Sequence, residues 1–294
     1  MTGEVWDGIV RLRAEALSVL AARHGGAIVS GPNVKPERIA PPADARDGDL
    51  APLLSARQVR AACEAAARGA ALLVGASLRR AVEDVAALWV CDRAMWALAG
   101  LLDEAVVPPL AAVVGDGSSI APSAVLGPRV VVGRRVRIAA GTVVGHAGFG
   151  WAFGAGGAVR AVPQLAGVVI EDDVVVGPLC TIDAGTLRPT RVRRGAKLDA
   201  HVHVGHNVDV GEDTIVAAQC GFAGSVTIGR GVLVGGQAGF ADHVHVGDGA
   251  RIAAKSGVIG DVPPGAVVAG YPAVARARWL RGLAALYRGH KPAG

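Results

Sequence analysis

From Ile120 onward an apolar residue returns every six positions: Ile120, Leu126, Val132, Ile138 and Val144. The period breaks at 147–165, resumes at Ile170, Val176 and Ile182, and slips by four residues over "TLRPTR". It then runs through twelve units, from Val192 and Leu198 to Ile252 and Val258. Neither a helix at 3.6 residues per turn nor a two-residue alternation produces such a run. A six-residue unit is a short strand followed by a turn onto the next side of a prism. Three units close one coil, so residues 18 apart stack at a spacing of about 4.8 Å. The periodic residue points inward, and the Gly or Ala that usually follows it lets the chain round a corner. Apolar residues are 51% of the chain and aromatics only 4%, so Val, Ala, Leu and Ile must fill the interior. The 42 glycines, about twice the usual share of roughly 7%, supply tight turns. A collagen helix is excluded, because no strict every-third-residue Gly is present.

The flanks do not carry this period. Residues 3–24 read as an amphipathic helix ending in Gly25-Gly26, which assigns 1–27 to an N-terminal helix. Residues 28–112 mix strand-like runs ("GAALLVGAS", "VAALWVCD") with a helical one ("SARQVRAACEAAARG"), as in a small α/β domain. The solenoid occupies 113–273, closed by "VPPGAVVAGYPA", and 274–294 reads as a terminal basic helix. The fold class expected is mainly β: a parallel β-helix with a small α/β domain before it and a short helix after it.

The net charge of +5 is mostly arginine, with only Lys35, Lys197, Lys255 and Lys291 as lysines. Anionic partners such as nucleotides, phosphopantetheine or acidic carrier proteins fit this balance. No basic run interleaved with aromatics suggests nucleic acid. Cys63, Cys91, Cys180 and Cys220 are far apart and form no CxxC, so neither a disulfide framework nor a zinc knuckle is indicated. The start "MTGEVWDGIVRLR" lacks the apolar region of a signal peptide, and no apolar run reaches about 18 residues. A soluble, cytoplasmic protein is the expectation.

Function has to come from particular side chains, because hexapeptide folds serve acyltransferases, nucleotide-sugar enzymes, carbonic anhydrases and inert scaffolds alike. "AHVHVGHNVDVG" (200–211) gathers His201, His203 and His206. A zinc site of the gamma carbonic anhydrase kind pairs histidines five apart, as His201 and His206 are, with a third about 36 residues upstream. The positions that could supply it are Leu165 and Ile170, so no metal is expected. The six-residue register makes Val204 inward and sets His206 outward on a face. His243, 37 residues on, lies two coils above, shifted by one position. For a lone surface histidine, a solvated or inter-subunit hydrogen bond is the simpler reading.

The sequence around these histidines resembles a known family. "PQLAGVVIEDDVVVGPLCTIDAGTL", "KLDAHVHVGHNVDVGEDTIVAAQCGFAGSVTIG", "GGQAGFADHVHVGDGARIAAKSGV" and "PPGAVVAGYPA" are similar to the UDP-3-O-(3-hydroxyacyl)glucosamine N-acyltransferases of lipid A synthesis. "GHAGFGWAF" (145–153) resembles that family's "HDGFG" segment, and "GPNVKPERIAPPADARDGDLAPLLS" the start of its uridine-binding domain. The resemblance implies a left-handed β-helix and a homotrimer with clefts between subunits. It implies acyl transfer from an acyl carrier protein thioester to the 2-amine of a UDP-linked glucosamine. The co-substrate is the acyl-4'-phosphopantetheine of the carrier protein, with no other cofactor. His206 matches the family's general base, a role that suits an imidazole titrating near neutrality. Asp199 matches the acid associated with that base. Gly224 matches the glycine whose N–H stabilises the oxyanion. His243, Asn207, Phe149, Gly150 and Gln164 fall on substrate-binding positions. His201 and His203 match nothing catalytic and read as edge polar residues.

Several positions depart from the family's pattern. The uridine-binding segment "LSFLxNPKY" is "LAPLLSARQV" here, without the aromatic that would stack on uracil. Ala184 replaces an Arg in "TIDRGA", and Ala147 replaces the Asp of "HDGFG". These changes keep open a related acyltransferase using another amino nucleotide sugar or a CoA donor, and a non-catalytic paralogue. The terminal helix carries Arg276, Arg278, Arg281 and Arg288. It reads as a solvated face or, as the resemblance suggests, as a docking surface for the carrier protein; a peripheral position at the inner membrane surface is a further expectation for the protein as a whole.

Overall fold

In the computed structural model, which describes residues 10–108 and 110–289, the six-residue period becomes three parallel sheets wrapped round one axis. The coil is that of a left-handed parallel β-helix. On the first face Val192, Val210, Ile228 and Val246 stack in register. On the second, Leu198, Val216, Val234 and Ile252 do so. On the third, Val204, Phe222, Phe240 and Val258 complete the coil. Each unit also buries the residue two positions earlier, such as Val202, Val208, Val226 and Val244, so the interior is a continuous column of aliphatic side chains. Ile120 and Leu126 are only half-buried, because the first coil has a neighbour on one side alone. Backbone amides bond to the coil above, as His203 N–H does to Cys220 O at 2.9 Å. Corners place their second residue in the left-handed region, including Asn207 (φ 60°), Ser225 (63°) and His243 (58°).

Both interruptions of the period fall on one corner. The chain leaves the third face at Val143–Ala147 and returns to the first at Val168–Ile170. One coil later it leaves at Thr181–Ala184 and returns at Thr190–Val192. The longer insertion forms an antiparallel hairpin, Trp151–Phe153 with Val159–Ala161.

The N-terminal domain is a six-stranded sheet: β1 (Val10–Arg11), β2 (Ala27–Ser30), β3 (Arg38–Ile39), β4 (Asp49–Leu53), β5 (Ala71–Gly75) and β6 (Leu88–Cys91). The spatial order is β1-β3-β4-β5-β6-β2, with β3 to β6 parallel. Parallel strands covered on both faces read as unbroken apolar runs, hence "ALLV" in β5. α1 (Leu17–His24) and α3 (Ala94–Asp103) pack on one face through Leu20, Leu98 and Leu101. α2 (Val59–Ala67) covers the other through Ala62 and Ala65. This corrects the expected helix over 3–24, whose first residues, 3–9, lie outside the described residues. Val10 is buried and Arg11 exposed in a strand, the two-residue alternation of "VRLR" having prevailed, and the helix begins at Leu17. Residues 10–30 therefore belong to the α/β sheet rather than to a separate helical unit.

The hairpin ties this domain to the prism. Ala152 and Val162 share a core with α1 and α3, and the Arg160 guanidinium lies 4.1 Å from the centre of the Trp96 ring. At the far end Val267–Ala269 and Val274–Ala275 close the second face. α4 (Arg276–Gly289) follows, with Trp279 packed on Gly270 and most of its other side chains exposed. Among the described residues no helix is long and apolar enough to cross a membrane.

Phe222 and Phe240 are the large side chains of the column, stacked with ring centroids 4.7 Å apart. Phe222→Ala leaves a cavity that neighbouring coils, pinned by their ladders, cannot close. It should cost about 3–5 kcal/mol, seen as a lower urea midpoint at unchanged slope.

Candidate active site

The third face turns one residue per coil outward ahead of each inward one. Going up the prism these are His203, Gly221, Gly239 and Gly257. Above His203 these positions carry no side chain, and the wall is completed by Ala223, Ala241 and Ile259. A cleft of about 760 Å³ runs along it, edged by His206, Gly224 and His243 and bounded by Phe149 and Tyr271. Tyr271 closes the upper end: its ring lies where a side chain at Gly257 would be.

His206 occupies the corner after this face rather than the face itself, one residue before the left-handed Asn207. Two glycines define its place. A Cβ on Gly224, one coil up, would sit 2.5 Å from His206 Nε2. A Cβ on Gly148, from the long insertion, would sit 2.6 Å from His206 Cβ. Contacts under 3.0 Å are not tolerated by a real Cβ, so glycine at both positions is what admits the imidazole. The Gly224 N–H has no hydrogen-bond partner among the described residues.

The ring's other side is held by a chain of polar groups from both insertions. Asn207 Nδ2 lies 2.9 Å from His206 Nδ1 and 3.0 Å from Thr186 Oγ1. Asn207 Oδ1 accepts the Thr186 backbone N–H at 2.7 Å. The Thr186 hydroxyl donates to Gln164 Oε1 at 2.5 Å, and Gln164 Nε2 donates to Val162 O at 3.0 Å. Asn207, expected on substrate, thus faces the histidine, and Gln164, also expected there, is joined to it through Thr186. Gly150 also serves this chain, since a Cβ there would lie 2.7 Å from Gln164 Nε2. Phe149 is exposed on the cleft wall, with its ring edge-on to Trp151 at 6.0 Å.

Asp199 stands apart. It closes the preceding side of the coil, where its carboxylate accepts the Ala200 N–H at 2.7 Å. The groups that act on the His206 ring are His243 and His203, and Asn207 takes the place expected for the acid. His201 sits on that preceding corner too, with φ 58°, a full side of the prism away from His206. Among the described residues no group of three or more His, Cys, Asp or Glu could hold a metal ion.

His203, read as an edge residue, lines the cleft. Its Nδ1 is 2.7 Å from Thr181 Oγ1, and its Nε2 is 3.8 Å from the buried carboxylate of Asp183. Burial pushes Asp183 above the usual carboxylate range, partly offset by His203 and His146. The missed signal was the four-residue slip, which moves the partner of His203 from 18 to 22 residues away, at Thr181. Arg57, from the segment matched to uridine binding, reaches the same site and donates to His243 O at 2.8 Å.

Burial lowers the His206 pKa below the usual histidine range, and the neighbouring His243 and His203 lower it further. The ring is therefore neutral at physiological pH. His243→Gln removes one like charge and should raise the His206 midpoint in an NMR titration. Burial, the larger cause, remains, so the midpoint should stay below that of an exposed histidine.

Comparison with known proteins places this geometry. The family model for the bacterial transferase hexapeptide (six repeats) matches residues 111–146. The chain is 52% identical over 158 residues to a UDP-3-O-acylglucosamine N-acyltransferase of Caulobacter vibrioides, covering 54% of this chain and 46% of that one. It is 42% identical, over 54% of this chain and 45% of the other, to the protein of the same name from Methylobacterium sp. strain 4-46. The chain thus spans about half the length of the curated relatives it matches. Among solved structures, a UDP-N-acetylglucosamine acyltransferase from Campylobacter jejuni superposes with a TM-score of 0.51 at 26% identity, over 56% of this chain and 62% of that one. Over about half of its length this chain is thus similar to UDP-3-O-acylglucosamine N-acyltransferases, and residues 111–146 match the hexapeptide-repeat transferase model.

Proposed function

We propose that this protein transfers a 3-hydroxyacyl chain from an acyl carrier protein thioester to the 2-amino group of UDP-3-O-acylglucosamine, a step of lipid A synthesis. The observation that carries the reading is the His206 imidazole, clamped between Gly148 and Gly224 at the foot of an apolar wall rich in Gly and Ala. Such a wall admits an extended apolar chain, and the clamped ring meets its reacting end. The names of the curated relatives support UDP-3-O-acylglucosamine as the acceptor. Phe149 and Tyr271, exposed at 85% and 82%, bracket the cleft on its open side. A neighbouring copy of the chain would cover them, which favours the trimer.

One observation favours a second reading, an acyltransferase acting on a different amino nucleotide sugar. Gln58 stands where the resemblance expects the aromatic, while the adjacent cation Arg57 reaches the rim of the cleft, so the nucleotide would be gripped through its phosphates rather than its base.

The test is to incubate the purified protein with carrier-protein thioesters of several lengths and with UDP-3-O-acylglucosamine or other amino nucleotide sugars. Amide product is expected with the first acceptor, and His206→Ala should slow its formation by about 10²–10⁴-fold while the protein stays folded. Product only with another acceptor would shift the assignment to the second reading, and none with any pair would remove it.

α4 contains no acidic residue and exposes Arg278 and Arg281 beside Leu280. It is the proposed dock for the acidic carrier protein. Reversing both charges to Glu should raise the KM for the carrier thioester several-fold and leave kcat nearly unchanged.

A further inference from the structure

We infer that Asp183 and His203 together form a hydroxyl-binding site at the foot of the cleft, and that this pair selects the substrate that carries a hydroxyl there. The inference rests on the acyl-transfer reading above and adds to it two residues that set specificity.

Both residues belong to the third face and line the cleft. Asp183 follows the inward Ile182 on its strand, and His203 lies directly above Thr181, which precedes it. Thr181 is exposed, yet the Asp183 side chain is only 10% exposed. A carboxyl withdrawn that far from water is ordinarily paired with a cation or held by N–H donors. Asp183 has neither. Among the described residues none donates a hydrogen bond to it, and the charges that act on it are those of two histidines, His203 and His146. The resemblance would place Asp at 147 and Arg at 184. Both are alanine, and these two alanines are cross-strand partners next to Asp183, so no permanent charge comes from that pair. The carboxyl is an open hydrogen-bonding group on the cleft wall.

His203 supplies the second half of the site. Its Nδ1 is held 2.7 Å from Thr181 Oγ1, and its Nε2 lies 3.8 Å from Asp183 Oδ2. That gap is too long for a hydrogen bond, but it fits one oxygen set about 2.8 Å from each atom. With the Thr181 hydroxyl donating to Nδ1, the ring hydrogen is on Nε2. A hydroxyl between them donates to the carboxylate and accepts from Nε2–H. Other groups of the two substrates fit less well. An ammonium can only donate and would meet Nε2–H, and a thioester oxygen can only accept and would meet the carboxylate. The reacting amine must keep its lone pair for the thioester carbon. A methylene would displace solvent and leave both groups unpaired. Two hydroxyl sources suit the place, the 3-hydroxyl of the acyl chain and the hydroxyls left free on the glucosamine ring. His203 is near enough to His206 to act on its charge, so a hydroxyl a few bonds from the reacting atoms comes within reach.

The test measures kcat/KM of the full chain in two comparisons. One sets 3-hydroxyacyl against unsubstituted acyl thioesters of the same length on the carrier protein. The other sets UDP-3-O-acylglucosamine against its 4-deoxy and 6-deoxy forms. The wild-type protein should favour the hydroxylated substrate in one comparison by about 10–100-fold. Asp183→Leu keeps the volume but cannot accept, and should bring that ratio close to one by slowing the hydroxylated substrate. His203→Val, at a half-exposed strand position that suits a β-branched residue, should do the same, and it decides alone if Asp183→Leu does not fold. A merely structural role would slow both members of a comparison alike and leave the ratio unchanged. Loss of the preference between thioesters assigns the site to the acyl chain, and loss of the preference between acceptors assigns it to the sugar. A wild-type protein with no preference in either comparison, or a preference that survives either substitution in a folded protein, overturns the hydroxyl site while amide synthesis stands. Absence of amide product from the wild-type protein overturns both together.

Discussion

Stacking identical coils in register demands that every rung present the same cross-section to the next. Most six-residue units send two apolar side chains inward, as Val202 and Val204 do, and bond their backbone to the coils above and below. The polar residues that point inward, Thr142, Thr214 and Ser256, spend their hydroxyls on backbone carbonyls, and an extra residue on a face would break the ladder. Chemistry is therefore confined to outward positions, and irregularity to corners. That restriction explains why both insertions open from one corner and why His206 stands on it.

On such a scaffold a site is made by removing side chains as much as by adding them. Gly221, Gly239 and Gly257 take the side chains from one column of the third face, and Gly148 and Gly224 leave a slot one imidazole thick. The imidazole is held in place on three sides, which limits its freedom before any substrate arrives. Its low proton affinity has the same origin, because packing that excludes water penalises the charged form. Position and protonation state are thus set by one arrangement.

Much of this was legible in the sequence, for reasons that differ by residue. The column from Val192 to Val258 follows from period alone, since each of those residues repeats a single environment. His206, Gly224 and His243 were found through resemblance, and the coil arithmetic places them on one corner. The arithmetic failed where the period did. Thr186 and Gln164 lie in the two insertions, where no register exists to say what they touch, and Asp183 meets His203 only across the slip. Within one chain Asp199 lies a whole side of the prism from His206, because seven residues of sequence span that side. The start of the α/β domain was obscured by "VRLR", whose short alternation is lost inside a longer amphipathic pattern.

The insertion that sets Gly148 against His206 and Phe149 on the cleft wall also lends Ala152 and Val162 to the hydrophobic core of the N-terminal domain, and Leu187 of the second insertion packs against that same core. The domain and the corner that holds His206 therefore do not behave as separable parts. A recombination event that exchanged one α/β domain for another would have to bring a matching hairpin with it. Variation in what the N-terminal domain recognises is accordingly expected to proceed by point replacement at its rim, as at Arg57, rather than by wholesale substitution of the domain.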